Sequence, residues 1–169
     1  QALFPFKANY LTLPDGEFMH YVDEGEGPIL LMVHGNPTWP FFYRDLIHYF
    51  RHFYRVIVPS HVGMGLSSRP QNYNYTLKQH TRNLSTLLKH LEVLDFSMIV
   101  HDWGGPIGLG AALEMPKGPA GVQKLVLMNT AAFRSTEIPA RISLCRDPLV
   151  GEWLVRSMNG FAGAAVHMA

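Results

Sequence analysis

An α/β fold, with a mostly parallel sheet and helices on both faces, is predicted by three observations. Ile29–Val33 is a continuous apolar run that reads as a strand buried on both faces, Arg55–Pro59 reads as a further buried strand, and Ser97–Val100 as a short apolar strand. They alternate with helix-length segments, which indicates right-handed crossovers between parallel strands. With 47% apolar and only 16% charged residues, the 169-residue chain can bury one real core and is not disordered.

The elements follow in order. Phe18–Asp23 alternates as a strand and is closed by the turn Glu24-Gly25-Glu26-Gly27-Pro28. Ile29–Val33 is broken by Gly35-Asn36-Pro37, and an aromatic-rich helix is predicted over Phe41–Phe50. After Arg55–Pro59 comes a glycine-punctuated loop, Gly63-Met64-Gly65-Leu66-Ser67. Thr76 and Gln79 have capping-box spacing, and Leu77, Leu84, Leu87, Leu88 and Leu91 recur on one helical face. The strand at Ser97–Val100, the small-residue helix from Gly104 and a strand at Lys124–Asn129 complete the alternation. Beyond Asn129 no further strand is predicted. Residues 1–131 read as a sheet core, and 132–169, with Met158, Phe161, Val166 and Met168, as the start of a helical excursion.

Composition narrows the functions. Net charge is +1 and the fourteen Lys and Arg are scattered, so no basic stripe points to nucleic acid. One cysteine, Cys145, excludes an intramolecular disulfide framework and suits a reducing, cytoplasmic setting. No apolar run approaches the roughly 18 residues of a membrane span. No signal peptide is visible, although the chain opens on Gln1 rather than Met, which leaves room for an upstream segment and leaves localisation open.

The chemistry centres on Val100-His101-Asp102-Trp103-Gly104-Gly105. A buried strand, an acid and a glycine-rich helix start are the context of a nucleophile elbow, where a sharp turn lifts one side chain above the sheet. Asp102 could instead cap the following helix. The Trp-Gly-Gly context and preceding strand favour a nucleophile. A carboxylate attacks an alkyl carbon to give an ester, which water hydrolyses with the help of a base. Asn36, Asp102 and Asn129 all fall at or just past strand ends, where such sheets gather reactive groups.

Asn36 lies in His34-Gly35-Asn36-Pro37, at the position that supplies a second oxyanion donor. Backbone N–H groups of Asn36 and Trp103 could bind a developing anion, and their side-chain amide and indole N–H could hold a leaving halide or carboxylate. His34 and His101, with Gly35, Gly104 and Gly105, read as residues that support these loops. His20, His48, His52, His80, His90 and His167 lack metal-ligand spacing, so no metal and no cofactor is expected. His48 and His52 are four apart on a face expected to be exposed.

These residues resemble the haloalkane-dehalogenase branch of the α/β-hydrolase fold, whose pattern includes His-Gly-Asn-Pro and His-Asp-Trp-Gly-Gly. The resemblance implies Asp102 as nucleophile and Asn36 and Trp103 as anion-stabilising residues. Epoxide hydrolases share His-Asp-Trp-Gly-Gly but usually carry an aromatic where Asn36 stands. A narrower resemblance runs through Leu3–Phe6, His34–Trp39, Gly63–Ser67, Asn129–Phe133, Cys145–Pro148, Gly151, Val155-Arg156 and Asn159–Gly163. These segments are similar to the β-lactone decarboxylases of bacterial olefin biosynthesis, which form a cis-olefin and carbon dioxide. That resemblance implies a small hydrophobic substrate and assembly with other olefin-biosynthesis enzymes.

Two departures stand out. Ser60 occupies a position where the family commonly has Asp, so it can accept a hydrogen bond but brings no charge. The acid and histidine that complete this fold's triad follow the nucleophile far downstream. The chain therefore reads as an amino-terminal fragment of the fold, ending inside the helical cap. On this reading an ester on Asp102 would not turn over efficiently within it, and its last strand is expected to be an exposed edge. A non-catalytic truncated binding module is the alternative from a different class.

Overall fold

The computed structural model describes residues 3–115, 121–131, 140–161 and 163. Six strands form one mixed sheet: β1 (Asn9–Thr12), β2 (Phe18–Glu24), β3 (Ile29–Val33), β4 (Arg55–Pro59), β5 (Phe96–His101) and β6 (Val122–Met128). Their spatial order is β1-β2-β4-β3-β5-β6. The β1–β2 and β2–β4 pairs are antiparallel, and β4, β3, β5 and β6 run parallel. The helices are α1 (Arg44–Phe50), α2 (Leu77–His90), α3 (Gly104–Leu113), α4 (Ala140–Cys145) and α5 (Gly151–Arg156).

The continuous apolar runs explain the layers. In β3, Leu31 and Val33 pack into a cluster with Leu84, Leu87 and Leu88 of α2 and Ile107 and Ala111 of α3. Leu30 and Met32 face the other way, packing with Tyr43 and with Ile47 of α1. Successive side chains on a strand point to opposite faces, so a strand covered on both must be apolar throughout. Each fully buried side chain of this size is worth about 1.5–3 kcal/mol relative to exposure.

Local signals set the helix starts. The Thr76 hydroxyl accepts the Gln79 backbone N–H at 3.3 Å, capping α2. The Gln79 side chain does not complete a reciprocal box; it donates to Asn83 Oδ1 at 3.0 Å. The single helix predicted over Phe41–Phe50 divides into a 3₁₀ turn at Pro40–Tyr43 and α1. Pro40 fixes the entry, and the Tyr43 hydroxyl donates to Val33 O at 3.0 Å, tying that turn to β3.

The chain divides into two compact units, 1–132 and 133–169. In the second, Asp147 Oδ1 accepts the backbone N–H groups of Leu149 and Val150, both at 2.9 Å, just ahead of α5. Ala132, Phe133, Val166, His167 and Met168 lie outside the described residues. In the first unit β6 ends the sheet, and its consecutive Leu125, Val126 and Leu127 are all exposed, so both its faces are uncovered among the described residues. No helix among the described residues is long and apolar enough to cross a membrane.

Candidate active site

Neighbouring strands β3 and β5 lead away in different directions. β3 continues through α1 on one face to β4, and β5 continues through α3 on the other face to β6. Such a divergence leaves a crevice at the carboxyl ends of the strands. The His34–Asn36 turn and the Asp102 elbow meet there.

Asp102 directly follows β5 with φ 50°, the left-handed region that costs a non-glycine residue about 1–3 kcal/mol. Surrounding bonds hold it. Its N–H donates to Met128 O at 3.4 Å, and its carbonyl accepts Gly105 N–H at 3.1 Å and the Thr130 hydroxyl at 2.5 Å. Its side chain caps no helical N–H. Instead Oδ1 accepts the backbone N–H of Asn36 at 2.9 Å. Among the described residues no donor is placed on Oδ2, so one carboxylate oxygen is anchored and the other is free.

Two glycines make this approach possible. A Cβ on Gly35 would fall on the Asp102 side chain, and one on Gly104 would fall on the Val33 carbonyl. Gly104 and Gly105 are buried at the start of α3.

The sequence-predicted donors are placed beside Asp102. The Asn36 side chain is exposed, and Trp103 is 47% exposed. Both border a cavity of about 300 Å³, whose other walls include Val62, Tyr75, His61 and His80. Gly35 also lines it; Asp102 does not, and is joined to it through these neighbours. His34 is fully buried, with Nδ1 2.8 Å from Gly35 O. Burial lowers its pKa to about 4. His101 closes β5, stacks on Phe42 at 4.5 Å and leaves Nδ1 without a partner.

Among the cavity-lining residues that sequence reasoning did not single out are two buried histidines, His61 and His80. Burial lowers the pKa of both rings, strongly at His61, where His34 and His80 add repulsion. One signal could have found His61: it lies just past the carboxyl end of β4, as Asn36 and Asp102 lie past β3 and β5. His48 and His52 are exposed, with ring centroids 6.1 Å apart, and no group of three or more metal-ligating side chains occurs among the described residues.

Ser60 is fully buried. Its hydroxyl lies 2.8 Å from His20 Nδ1, and its carbonyl accepts the Ser67 hydroxyl at 2.8 Å. These neutral bonds tie β2 to the loop after β4 without a carboxylate.

Comparisons with known proteins agree with this architecture. The alpha/beta hydrolase fold family matches residues 28–153. The chain is 40% identical to a cis-3-alkyl-4-alkyloxetan-2-one decarboxylase of Shewanella oneidensis, over 98% of this chain and 53% of the relative. It is 41% identical to haloalkane dehalogenase 2 of Mycobacterium bovis, over 76% of this chain and 43% of the relative. Among solved structures, haloalkane dehalogenase DpaA from Paraglaciecola agarilytica NO2 aligns with TM-score 0.76 at 30% identity, covering 86% of this chain and 50% of that one. The chain thus spans about half the length of the relatives it matches. On the strength of the family match and the sheet that carries Asp102, the chain belongs to the alpha/beta hydrolase fold family.

Proposed function

We propose that this chain is part of an enzyme that uses Asp102 as a nucleophile, and that the enzyme is a β-lactone decarboxylase forming a cis-olefin and carbon dioxide. The observation that carries the reading is the Asp102 carboxylate itself. It stands on a left-handed elbow with Oδ1 anchored by the Asn36 N–H and Oδ2 free of donors among the described residues, beside a largely apolar cavity. The 40% identity to the Shewanella oneidensis decarboxylase, across nearly the whole chain, supports the substrate class.

The chemistry fits an anchored carboxylate. In a 3,4-dialkyl oxetan-2-one, the bond from ring oxygen to C4 and the bond from the carbonyl carbon to C3 must break. The C3–C4 double bond forms, and the carboxylate unit leaves as carbon dioxide, with no water and no redox partner consumed. As nucleophile, Oδ2 attacks C4 and forms an alkyl ester while the C4–O bond breaks and the ring oxygen leaves as a carboxylate. Loss of carbon dioxide from C3 then forms the C3–C4 double bond and expels the Asp102 carboxylate, whose Oδ1 stays hydrogen-bonded to the Asn36 N–H. Donors at Asn36 and Trp103 suit the departing carboxylate. The substrate is a hydrophobic small molecule rather than a polymer, and the single cysteine suits a cytoplasmic setting.

Haloalkane dehalogenation is the second reading, supported by the 41% identity over 76% of the chain. There Oδ2 would displace a halide from an alkyl carbon, and water would then hydrolyse the ester. Full-length protein incubated with a long-chain cis-β-lactone and, separately, with a brominated alkane distinguishes the two. Olefin and carbon dioxide from the lactone support the decarboxylase. Halide release without olefin overturns it in favour of the dehalogenase.

A further inference from the structure

We propose that His61 is a positioning residue for the backbone donor at Asp102, acting through a reciprocal pair of hydrogen bonds with His34. The inference rests on the reading above, in which the Asn36 N–H serves the reacting carboxylate.

The contact is built from two buried residues just past neighbouring strand ends, His34 after β3 and His61 after β4. The His61 backbone N–H donates to His34 Nε2 at 3.2 Å. His61 Nε2 lies 2.9 Å from the His34 carbonyl, and His34 Nδ1 lies 2.8 Å from the Gly35 carbonyl. A carbonyl can only accept, so each of these ring nitrogens must carry its proton. His34, whose Nε2 accepts, is therefore the neutral Nδ1–H tautomer; His61 carries a proton on Nε2, and its Nδ1 is buried without a partner, so burial favours the neutral ring there too. A proton added at His34 Nε2 would set N–H against N–H.

The consequence reaches Asp102 through one peptide plane. The Gly35 carbonyl and the Asn36 N–H belong to the same planar unit and point in opposite directions. The carbonyl end is held by His34 Nδ1–H, by the Thr38 N–H at 3.1 Å and by the Thr38 hydroxyl at 3.0 Å. The N–H end points at Asp102 Oδ1. Fixing the carbonyl fixes the donor. His34 fixes the carbonyl, and His61 fixes His34 at both its ring and its backbone. His80, with its ring 5.2 Å from His61, and His101, which lies close enough to bias His34 against a positive charge, are the other titratable groups at this contact.

Solution NMR on the full-length protein, with labelled histidine and asparagine, tests this directly. In the wild type the ring nitrogens of His34 should report Nδ1–H and those of His61 Nε2–H. The Asn36 amide proton should lie downfield because its acceptor is charged. His61→Leu should move the Asn36 amide upfield and lower kcat by roughly tenfold with little change in KM, since a loosened donor gives up part of what a lost one would. His61→Gln, which keeps an N–H at the distal position, should restore both. If His34 is Nε2–H in the wild type, the proposal fails even where the variants do not fold. It fails equally if His61→Leu lowers stability but leaves the Asn36 amide unmoved. An amide that moves as expected in a protein that turns over neither the lactone nor the bromoalkane sustains the positioning role and overturns the functional reading instead.

Discussion

Asn36 and Asp102, 66 residues apart in sequence, meet through a 2.9 Å bond from backbone N–H to carboxylate Oδ1, and the bare Cα of Gly35 lets them meet. A methyl group at Gly35 would overlap the Cβ, Cγ and Oδ1 of Asp102. Gly35→Ala is therefore expected to cost about 1–3 kcal/mol of stability. It should also lower activity at least tenfold, because the displaced carboxylate loses its donor. Urea denaturation paired with the lactone assay checks this. An unchanged midpoint and rate would show that the elbow relaxes freely.

Thr130, two residues past β6, braces the same elbow by donating to the Asp102 carbonyl at 2.5 Å. Thr130→Val keeps the shape and removes the donor. We expect a loss of about 1–2 kcal/mol in chemical denaturation. A midpoint equal to wild type would mean that the elbow's left-handed backbone is held by its other bonds alone.

His20 and Ser60 form a neutral buried pair, and burial lowers the pKa of His20 to about 4. Ser60→Ala leaves Nδ1 of His20 unpartnered beside an already unpartnered Nε2, at an expected cost of about 1–3 kcal/mol. Ser60→Asp places a carboxylate against the ring, which favours the imidazolium, so the His20 pKa should rise. Histidine NMR titration reads the shift, and a His20 pKa still near 4 in Ser60→Asp would contradict this account of the pair.

The buried histidines also set a pH dependence of stability. His20 and His34 both fall from 6.5 to about 4 on burial, and His61 falls as well. The unfolded chain then binds more protons than the folded one between about pH 6.5 and 4, so stability is full above that window and declines as pH falls through it. Each of His20 and His34 contributes on the order of 3 kcal/mol to the decline, which levels off below the folded pKa. Denaturation midpoints at pH 7.5, 6, 5 and 4 should fall steadily, and a flat profile would show that these rings are not buried neutral.

Much of this was legible in the sequence because the signals are contiguous. Ile29–Val33 and Val56–Pro59 are unbroken apolar runs, and α2 carries a leucine stripe with a threonine cap, so their patterns fix their environment. Asp102 and Trp103 adjoin, and Asn36 sits in a compact turn, so local context alone marks them. β1 carries no legible signal because it is four residues long with only Leu11 buried, too short for a period to emerge. The 3₁₀ turn at Pro40–Tyr43 was hidden in an aromatic run that also suits an α-helix. His61 and His80 were not read as one site because no local pattern joins a loop residue to the first turn of a helix. Tertiary packing brings their rings to 5.2 Å.

The proposed chemistry depends at every step on Asp102 as the nucleophile. Asp102→Asn keeps the shape of the side chain and removes the charge and nucleophilicity. The rate of product formation from cis-β-lactone by full-length Asp102→Asn, with folding verified by circular dichroism, tests the claim most directly. A loss of roughly 10³-fold or more in kcat is expected. Turnover within a few-fold of wild type would remove Asp102 from the mechanism.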